Sequence, residues 1–371
     1  MAHWNIVLKG LSIYTFVRTH HMHSAGNRMT KRLVIFNHKG GVSKTTTVYN
    51  LGWMLSKNHR VLLVDGDPQC NLTSLLLQDD FERYYIEDCT KTQNIKDGVS
   101  AAFKGQPIPI APVECFSPAR APNLHLLAGH ANLSEFDAAL TFAQTSNNAI
   151  ATLQNLPGAF HELIRLVEEK YAIDYTLIDL NPGLSAINQN LFLNSDLFAI
   201  PTNPDPFSIM ALATLKTILP RWSSWKNNAL TAFIDSAYPL RLGIPKFGGS
   251  FIQRFNIRNG KAAKPYRDNI DEIKQDISIE LMAALNKAGM ILPLDNYSDD
   301  LKKNGYCLGE IADFGGLLPK AYQAGVPVFD LTEQELGETG RVLEGMITKR
   351  DQLNEQFINI ASTVRILLDH A

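Results

Sequence analysis

The residues best suited to chemistry lie in one short segment, residues 39–46, which reads Lys-Gly-Gly-Val-Ser-Lys-Thr-Thr. Adjacent glycines let the backbone turn tightly with its N–H groups pointing inward, and such a nest ahead of a helix N-terminus binds phosphate. Lys44 would then reach the β- and γ-phosphates of a nucleotide, and the Thr45 hydroxyl would bind Mg²⁺. The predicted phosphate-binding residues are Gly40, Gly41, Val42, Ser43, Lys44, Thr45 and Thr46.

The segment departs from the usual phosphate-loop pattern, G-x-x-x-x-G-K-[ST]. His38 stands where that pattern has its first glycine, and Ser43 stands where it has its second. The apolar run before the loop, residues 32–37, predicts a buried strand, and residues 45–57 predict a helix. Because strand, loop and helix follow one another in the order that a phosphate site needs, the prediction stands.

Three aspartates end apolar runs further along the chain. Asp65 and Asp67 end one run, and Asp179 ends another. In a parallel sheet such strand ends meet at the ligand-binding edge. A carboxylate there can position the water that phosphoryl transfer needs, or hold a water of the Mg²⁺ shell. We expect Thr45, Asp65 and Asp179 to support Mg²⁺. An exchange of roles between Asp65 and Asp67 is the alternative.

Short apolar runs alternate with helical patterns along most of the chain. Near-continuous apolar strands separated by helices predict an α/β fold, with a mostly parallel, twisted sheet and helices on both faces. The predicted strands are residues 32–37, 60–65, 124–127, 175–180, 197–201, 251–255 and 308–314.

The pattern predicts a single domain over residues 29–371, preceded at 1–28 by a poorly ordered extension or an upstream start of translation. Insertions are expected at about 79–123 and 208–250. Prolines and glycines predict loops in both, including residues 220–250.

The last predicted element is a long helix from about Gly340. Its apolar stripe is expected to pack on the sheet. The alternative, membrane binding, needs a polar face rich in lysine and arginine, whereas this face also carries glutamates and aspartates. The stripe consists of Met346, Leu353, Phe357, Ile360, Val364 and Leu367.

The Lys-Gly-Gly-x-x-Lys-Thr pattern resembles the deviant Walker A motif of the ParA/MinD ATPases, most closely the ParA-like partition ATPases. Residues 61–69 resemble the second motif of that family, 175–179 its Walker B strand and 200–207 its nucleotide-facing loop. The resemblance also extends, less closely, over 308–331. It implies a P-loop NTPase fold of the deviant Walker A type, with ATP and Mg²⁺ as cofactors.

The resemblance also implies roles for individual residues. In that family the extra lysine, here Lys39, crosses the interface of an ATP-dependent homodimer to the partner's nucleotide. The residue matching Asp67 orients the attacking water. Lys39, Lys44 and Asp67 are therefore the expected catalytic residues. In the 200–207 loop, Pro204 and Phe207 are expected to contact adenine, with a purely structural loop as the alternative.

Charge is distributed unevenly around a net value of −2. Within residues 216–267 the only acid is Asp235. A cluster of cations can bind DNA without sequence preference, because each neutralised phosphate releases counterions. The alternative is that this block pairs with acids elsewhere in the chain. Its basic residues are Lys216, Arg221, Lys226, Arg241, Lys246, Arg254, Arg258, Lys261, Lys264 and Arg267.

Two classes of protein are disfavoured. The four cysteines form no C-x-x-C pair, which argues against a zinc site, a disulfide framework or a metal cluster shared across a dimer. No apolar run reaches the roughly 20 residues of a membrane-spanning helix, so we expect no stable membrane insertion.

The sequence therefore predicts a cytoplasmic, ParA-like Mg-ATPase that is nucleoid-associated when ATP-bound. It would form an ATP-sandwich dimer, bind DNA non-specifically and act in DNA partition or cargo positioning. Slow hydrolysis would be stimulated by a ParB-like or other protein partner. The alternatives are a MinD-like membrane-associated spatial regulator, and a ParA-like ATPase that serves a plasmid-maintenance or defence operon.

Overall fold

The computed structural model describes residues 29–146, 153–258 and 261–371, so the expected extension at 1–28 lies outside the described residues. The strands, in chain order, are β1 (Lys31–Ile35), β2 (Val61–Gly66), β3 (Leu124–Leu127), β4 (Tyr175–Leu180), β5 (Leu197–Thr202), β6 (Lys246–Gln253), β7 (Ile257–Arg258), β8 (Lys261–Ala262) and β9 (Cys307–Ile311).

The central sheet has seven strands in the order β3-β2-β4-β1-β5-β6-β9. Every neighbouring pair is parallel, while β7 and β8 form a separate antiparallel ribbon. In register, Asp179 lies beside both Ile35 and Asp65. The carboxyl ends of β1, β2 and β4 therefore meet at one edge, and the predicted parallel α/β sheet is confirmed.

Helices connect these strands. They are α1 (Lys44–Ser56), α2 (Asn71–Leu77), α3 (Phe81–Tyr84), α4 (Ile95–Phe103), α5 (Asp137–Thr145), α6 (Leu156–Tyr171), α7 (Ala186–Leu193), α8 (Pro206–Ala232), α9 (Lys264–Asp276), α10 (Met282–Lys287), α11 (Asp299–Lys303), α12 (Leu317–Ala324), α13 (Glu333–Leu336) and α14 (Gly340–His370).

The sixth strand begins earlier than expected. The sequence predicts it over residues 251–255, but β6 begins at Lys246 and ends at Gln253. The pattern also predicts a loop at the glycine pair 248 and 249. Instead Gly249, with a φ of 138°, forms an irregularity inside the strand, where the pairing register with β5 shifts.

Most of the insertion expected at 208–250 is helical rather than looped. Helix α8 continues for 27 residues and contains Pro220. A proline inside a helix costs about 3 kcal/mol, because it removes one backbone hydrogen bond and crowds the preceding turn. Burial of an apolar face offsets that cost. The large buried side chains of this face are Leu212, Leu215, Leu219 and Trp222.

The C-terminal helix α14 packs on the domain as expected. Five of the six predicted stripe residues are buried, and Met346 is half-buried. Gly309 on β9 permits this approach, since a Cβ atom there would lie 2.6 Å from Ile360 Cδ1. Within the described ranges, no helix combines the length and the apolar character needed to cross a bilayer.

Candidate active site

The loop between β1 and α1 has the backbone shape of a phosphate nest. Gly41 and Ser43 both have left-handed conformations, with φ of 71° and 62°, and α1 begins directly afterwards at Lys44. The Lys44 Nζ donates to two loop carbonyls, those of Asn37 (3.0 Å) and Lys39 (3.1 Å). The ammonium is therefore held over the loop, as phosphate binding requires.

This loop opens into a cavity of about 640 Å³ at the carboxyl edge of the sheet. Most of the predicted phosphate-binding residues line the cavity, and Asp67 joins them from the end of β2. Gly40 lies in the same turn, where a Cβ atom would lie 3.8 Å from the Pro182 ring in the loop after β4. The predicted lining residues are Gly41, Val42, Ser43, Lys44, Thr45, Thr46 and Asp67.

Asp179 lies at the base of this site with one oxygen left unpaired. The residue is completely buried. Its Oδ2 accepts a hydrogen bond from the Thr45 hydroxyl at 2.7 Å, whereas its Oδ1 has no hydrogen-bond partner. Burial, and then the nearby Asp65, raise the pKa of this carboxyl well above its ordinary value. A buried oxygen of this kind fits a cation or an ordered water of its shell.

Asp65 and Asp67 separate into two roles. Asp65 is fully buried, and its oxygens accept hydrogen bonds from the Thr73 N–H (2.9 Å), the Thr73 hydroxyl (2.6 Å) and the Asp67 N–H (3.1 Å). Its expected place in the Mg²⁺ shell is not supported by this geometry, because these bonds tie the carboxylate to α2. Asp67 instead lines the cavity, and Gln69 N–H donates to its Oδ1 at 2.9 Å.

Burial shifts the pKa values of both the basic and the acidic side chains in the site. It lowers the pKa of the Lys44 ammonium, against the opposing influence of Asp179 and Asp67. It raises the pKa of Asp67 and raises that of Asp65 to about 6. Titratable groups displaced in this way cluster at functional sites. Lys44 and Asp67 are thus both poorly solvated beside one cavity. Such a cation and anion are suited to binding a phosphate together with its metal ion.

Lys39 is turned away from the cavity and held within its own chain. Its Nζ donates to both oxygens of Asp205, at 2.6 and 2.7 Å, and to the Ser208 hydroxyl at 3.0 Å. Asp205 is the residue that caps the start of α8. The Phe207 ring centroid lies 5.9 Å from the same Nζ, within cation–π range.

The two residues expected to contact adenine lie on either side of Asp205, Pro204 in the loop after β5 and Phe207 in the first turn of α8. Phe207 is 69% exposed, and the Pro204 carbonyl accepts from Asn269 Nδ2 at 3.1 Å. The structure does not bring either into the cavity with the phosphate loop. The rest of the cavity lining comes from residues that the sequence did not assign to the nucleotide site. These are Gln253, Arg254, Ile311, Asp313, Phe314, Leu318 and Tyr322.

A signal for these residues is present in the sequence. Gln253 and Arg254 end or follow β6, and Ile311 ends β9. Strand ends of a parallel sheet meet at the ligand edge, so the same rule that selects Asp179 applies to them. Phe314 and Tyr322 fall in the 308–331 segment, which also resembles the family.

Comparison with known proteins agrees with this geometry. The AAA domain family model AAA_31 matches residues 30–232. The ParA family protein pGP5-D of the Chlamydia psittaci virulence plasmid is 28% identical over 192 residues, which cover 50% of this chain and 62% of that protein. The Soj protein of Bacillus subtilis, a sporulation initiation inhibitor, is 30% identical over 188 residues, with 50% and 64% covered. The chain thus matches less than two thirds of the length of these relatives.

Solved structures show the same fold. An ATP complex of a Cyanothece McdA variant superposes with a TM-score of 0.51 at 19% identity, covering 86% of this chain and 96% of that one. The pNOB8 ParA bound to nonspecific DNA gives 0.52 at 18% identity, with 92% and 100% covered. The family match covers more than half of the chain and includes the phosphate loop, so this chain belongs to the AAA_31 family, with sequence similarity to ParA family proteins.

Proposed function

We propose that this chain is a Mg-ATPase whose ATP-bound form is a sandwich dimer, with residues 29–371 acting as a single ATPase domain. One observation carries the proposal: Lys44, Thr45 and Asp67 line a single cavity, with a half-satisfied buried carboxylate, Asp179, beside them. The phosphate loop would bind the β- and γ-phosphates through its N–H groups and Lys44.

Mg²⁺ fits the residues that are present. Thr45 would bind it directly through its hydroxyl, and the unpaired Asp179 Oδ1 would hold a water of its shell, since Mg²⁺ keeps several waters in such sites. When bound, Mg²⁺ screens phosphate charge. Within the described ranges no cluster of three or more metal-binding side chains occurs, so the expected site is shared with the nucleotide phosphates.

Hydrolysis would depend on Asp67. Its carboxylate lines the cavity and is kept in place by the Gln69 N–H. In that position it can orient a water toward the γ-phosphate, while Lys44 stabilises the charge that develops on the phosphate oxygens. A single positioning carboxylate, without a strong base, gives slow turnover. We therefore expect slow basal hydrolysis that a protein partner, ParB-like or of another kind, accelerates.

The adenine would lie against the far wall of the cavity. Phe314, Leu318 and Tyr322 offer apolar surface there, and a base packs well on such side chains. This places the base away from Pro204 and Phe207. In this proposal the Pro204 to Phe207 loop positions Lys39 instead.

Dimer closure would require Lys39 to exchange its partner. To reach a nucleotide in a second copy, its ammonium must leave Asp205 and Ser208. Both partners of this ion pair are partly exposed, with side-chain exposures of 20% for Lys39 and 33% for Asp205, so the exchange is inexpensive. Phe207, whose ring lies near Lys39, and Met210 further along α8 are both exposed and would be covered by the second copy.

The DNA surface would be smaller than the 216–267 block. Lys226 is fully buried and donates to the Leu193 carbonyl. Arg241 pairs with Asp196 at 2.7 Å, and Lys216 pairs with Asp276 at 2.8 Å. These three basic side chains therefore make contacts within the protein.

Four of the seven remaining cations lie in the β7–β8 ribbon and at the start of α9. Arg258 and Lys261 are register partners in the ribbon, and Lys264 and Arg267 are exposed directly after it. We place non-specific, ATP-dependent DNA binding there, which would associate the cytoplasmic protein with the nucleoid in DNA partition or cargo positioning.

The central test is ATP binding and phosphate release by the wild type, by Lys44→Ala and by Arg165→Met, an exposed arginine on α6 that serves as a matched control. Binding should be lost only in Lys44→Ala, by about 100-fold or more, since the lysine contacts the phosphates directly. Equal ATP binding by wild type and Lys44→Ala would overturn the proposal.

The proposed DNA surface has its own test. The double variant Lys264→Glu/Arg267→Glu should abolish salt-sensitive DNA binding without changing ATP affinity.

A further inference from the structure

The carbonyl oxygen of Gly41 is held by side chains from two strand ends. Asn203 follows β5, and its Nδ2 donates to this oxygen at 3.1 Å. Arg254 follows β6, and its Nη1 donates to the same oxygen at 3.0 Å. A carbonyl oxygen has two lone pairs, so the two donors satisfy it completely. We refer to these two side chains as the Gly41 clamp.

Fixing this oxygen fixes the N–H on the other side of the same peptide. The Gly41–Val42 peptide is trans and therefore planar, with its C=O and N–H pointing in opposite directions. The clamp pulls the carbonyl toward the strand ends at 203 and 254. The Val42 N–H consequently points the other way, across a loop whose members line the phosphate cavity.

Arg254 is held in place by a strained backbone. Its φ is 61°, a left-handed conformation that is unfavourable for a bulky residue. The Arg254 N–H donates to the Ile311 carbonyl at 3.2 Å, and Asp313 N–H donates to the Phe255 carbonyl at 3.1 Å. These bonds between the ends of β6 and β9 stabilise the strained residue. Strain that the surrounding structure maintains in this way is typical of functional positions.

The contact made by Arg254 also differs from those of several other cations of this half of the chain. Lys216, Arg241 and Lys274 each pair with a carboxylate, whereas the Arg254 guanidinium contacts a backbone carbonyl of the phosphate loop. A guanidinium has five N–H donors, so further donors remain for an anionic ligand. Arg254 lines the same cavity as Lys44, which adds a second positive charge to that cavity.

We propose that Arg254 and Asn203 are positioning residues that set the phosphate loop for the nucleotide. The clamp orients the Val42 N–H toward the phosphates, and Arg254 adds its charge to the same end of the cavity. Asn203 also connects this clamp to Lys39, because the Ser208 hydroxyl accepts hydrogen bonds from both Asn203 N–H (3.1 Å) and Lys39 Nζ (3.0 Å). The inference rests on the proposed ATPase function and specifies how that site is built.

The experiment measures ATP affinity, KM and kcat for Arg254→Met, Asn203→Ala and the double variant. Each single change should weaken ATP binding about 3- to 10-fold, the effect of one lost hydrogen bond. The double variant should lose more than the product of the two, because either donor alone still holds the oxygen. KM should rise while kcat changes less than about twofold, as for an interaction made equally before and during the reaction.

Two controls separate positioning from folding. Thermal unfolding without nucleotide should be the same for all variants to within a few degrees, and Arg254→Lys, which keeps a donor and the charge, should recover part of the affinity. Single losses that simply multiply, or variants that bind ATP as the wild type does, would overturn the clamp. A wild type that binds no ATP would instead overturn the proposed function. If Lys44→Ala loses ATP binding while the Arg254 and Asn203 variants bind ATP normally, the proposed function stands and only the clamp is contradicted.

Discussion

The two edges of the central sheet bury charge in different ways. At the amino edge, Arg32 on β1 is completely buried. Its guanidinium donates to both oxygens of Glu168, each at 2.7 Å, and lies 2.8 Å from His161 Nδ1. The Asn194 carbonyl accepts a further bond at 3.3 Å. Every side of the arginine therefore has a partner.

At the carboxyl edge the same sheet leaves two buried charged groups, Asp179 and Lys44, without a complete set of partners. Asp179 has one oxygen on Thr45 and one oxygen without a partner. The Lys44 ammonium contacts carbonyl oxygens rather than a carboxylate. Because an unpaired buried charge is costly, such an arrangement is retained only where a ligand completes it. The buried arginine at the amino edge has all its partners and stabilises the fold. The buried charged groups without full partners at the carboxyl edge are available to bind a ligand.

The largest expected effect is at the amino edge. Arg32→Met leaves the Glu168 carboxylate buried without its partner, which should cost about 3–5 kcal/mol of unfolding free energy. Urea denaturation measures this loss. The matched control is the double variant Arg32→Met/Glu168→Leu, which removes both charges and should recover most of the stability. A single variant as stable as the wild type would contradict the role assigned to this edge.

At the carboxyl edge we expect effects of opposite sign from one change. Asp179→Asn removes a buried charge, so the nucleotide-free protein should gain about 1–2 kcal/mol. The same variant should lose Mg²⁺-dependent ATP binding by about 10- to 100-fold, since the cation loses its carboxylate. Denaturation without ligand and calorimetric titration with Mg-ATP give the two values. A variant destabilised by several kcal/mol would show that Asp179 is structural.

The buried carboxylates of the carboxyl edge should also make stability depend on pH. Burial raises the pKa of Asp65 from 3.8 to about 6, so the folded protein binds more protons than the unfolded chain between these values. Stability without nucleotide should therefore be greatest below about pH 4 for this group and fall, by on the order of 1–3 kcal/mol, as pH rises through about 6. Denaturation midpoints between about pH 4 and 7 test this, with Asp179→Asn expected to flatten part of the slope.

A smaller effect is expected for the ion pair of Lys39. Asp205→Asn keeps the cap of α8, because Asn caps helices as well as Asp, and weakens the hold on Lys39. Such a partly exposed pair is worth up to about 1 kcal/mol. Closure of a symmetric dimer breaks two such pairs, so ATP-dependent dimerisation should occur at about 5- to 30-fold lower protein concentration. Unchanged dimerisation would indicate that Lys39 is not restrained by Asp205.

The smallest expected effect is at the loop itself. Ser43 has a φ of 62°, which costs a residue with a Cβ atom about 1 kcal/mol relative to glycine. Ser43→Gly should therefore raise the unfolding free energy by up to about 1 kcal/mol and leave ATP affinity unchanged or improved. Thermal unfolding measures the gain, and a destabilised variant would show that the Ser43 backbone is not strained.

The sequence predicted those parts of the site that local chain geometry determines. The bounds of β3 and β4 were correct to the residue, because each apolar run ends abruptly, and the phosphate loop follows from a single run of consecutive residues, 39–46. The role of Asp65 was not predictable in this way, since Thr73 reaches it only through the packing of α2. Similarly, the Asp205 partner of Lys39 lies 166 positions away in the chain. Contacts of this kind depend on tertiary packing, which no local pattern records.

We propose that ATP converts this protein into a sandwich dimer through Lys39. The most direct measurement is light scattering after size-exclusion chromatography of Asp67→Ala, with and without Mg-ATP, beside the double variant Lys39→Ala/Asp67→Ala. Asp67→Ala should bind ATP, hydrolyse it poorly and elute as a dimer only with Mg-ATP, whereas the double variant should bind ATP and remain monomeric. A monomer in both cases despite confirmed ATP binding, or a dimer that forms equally well without Lys39, would contradict the claim.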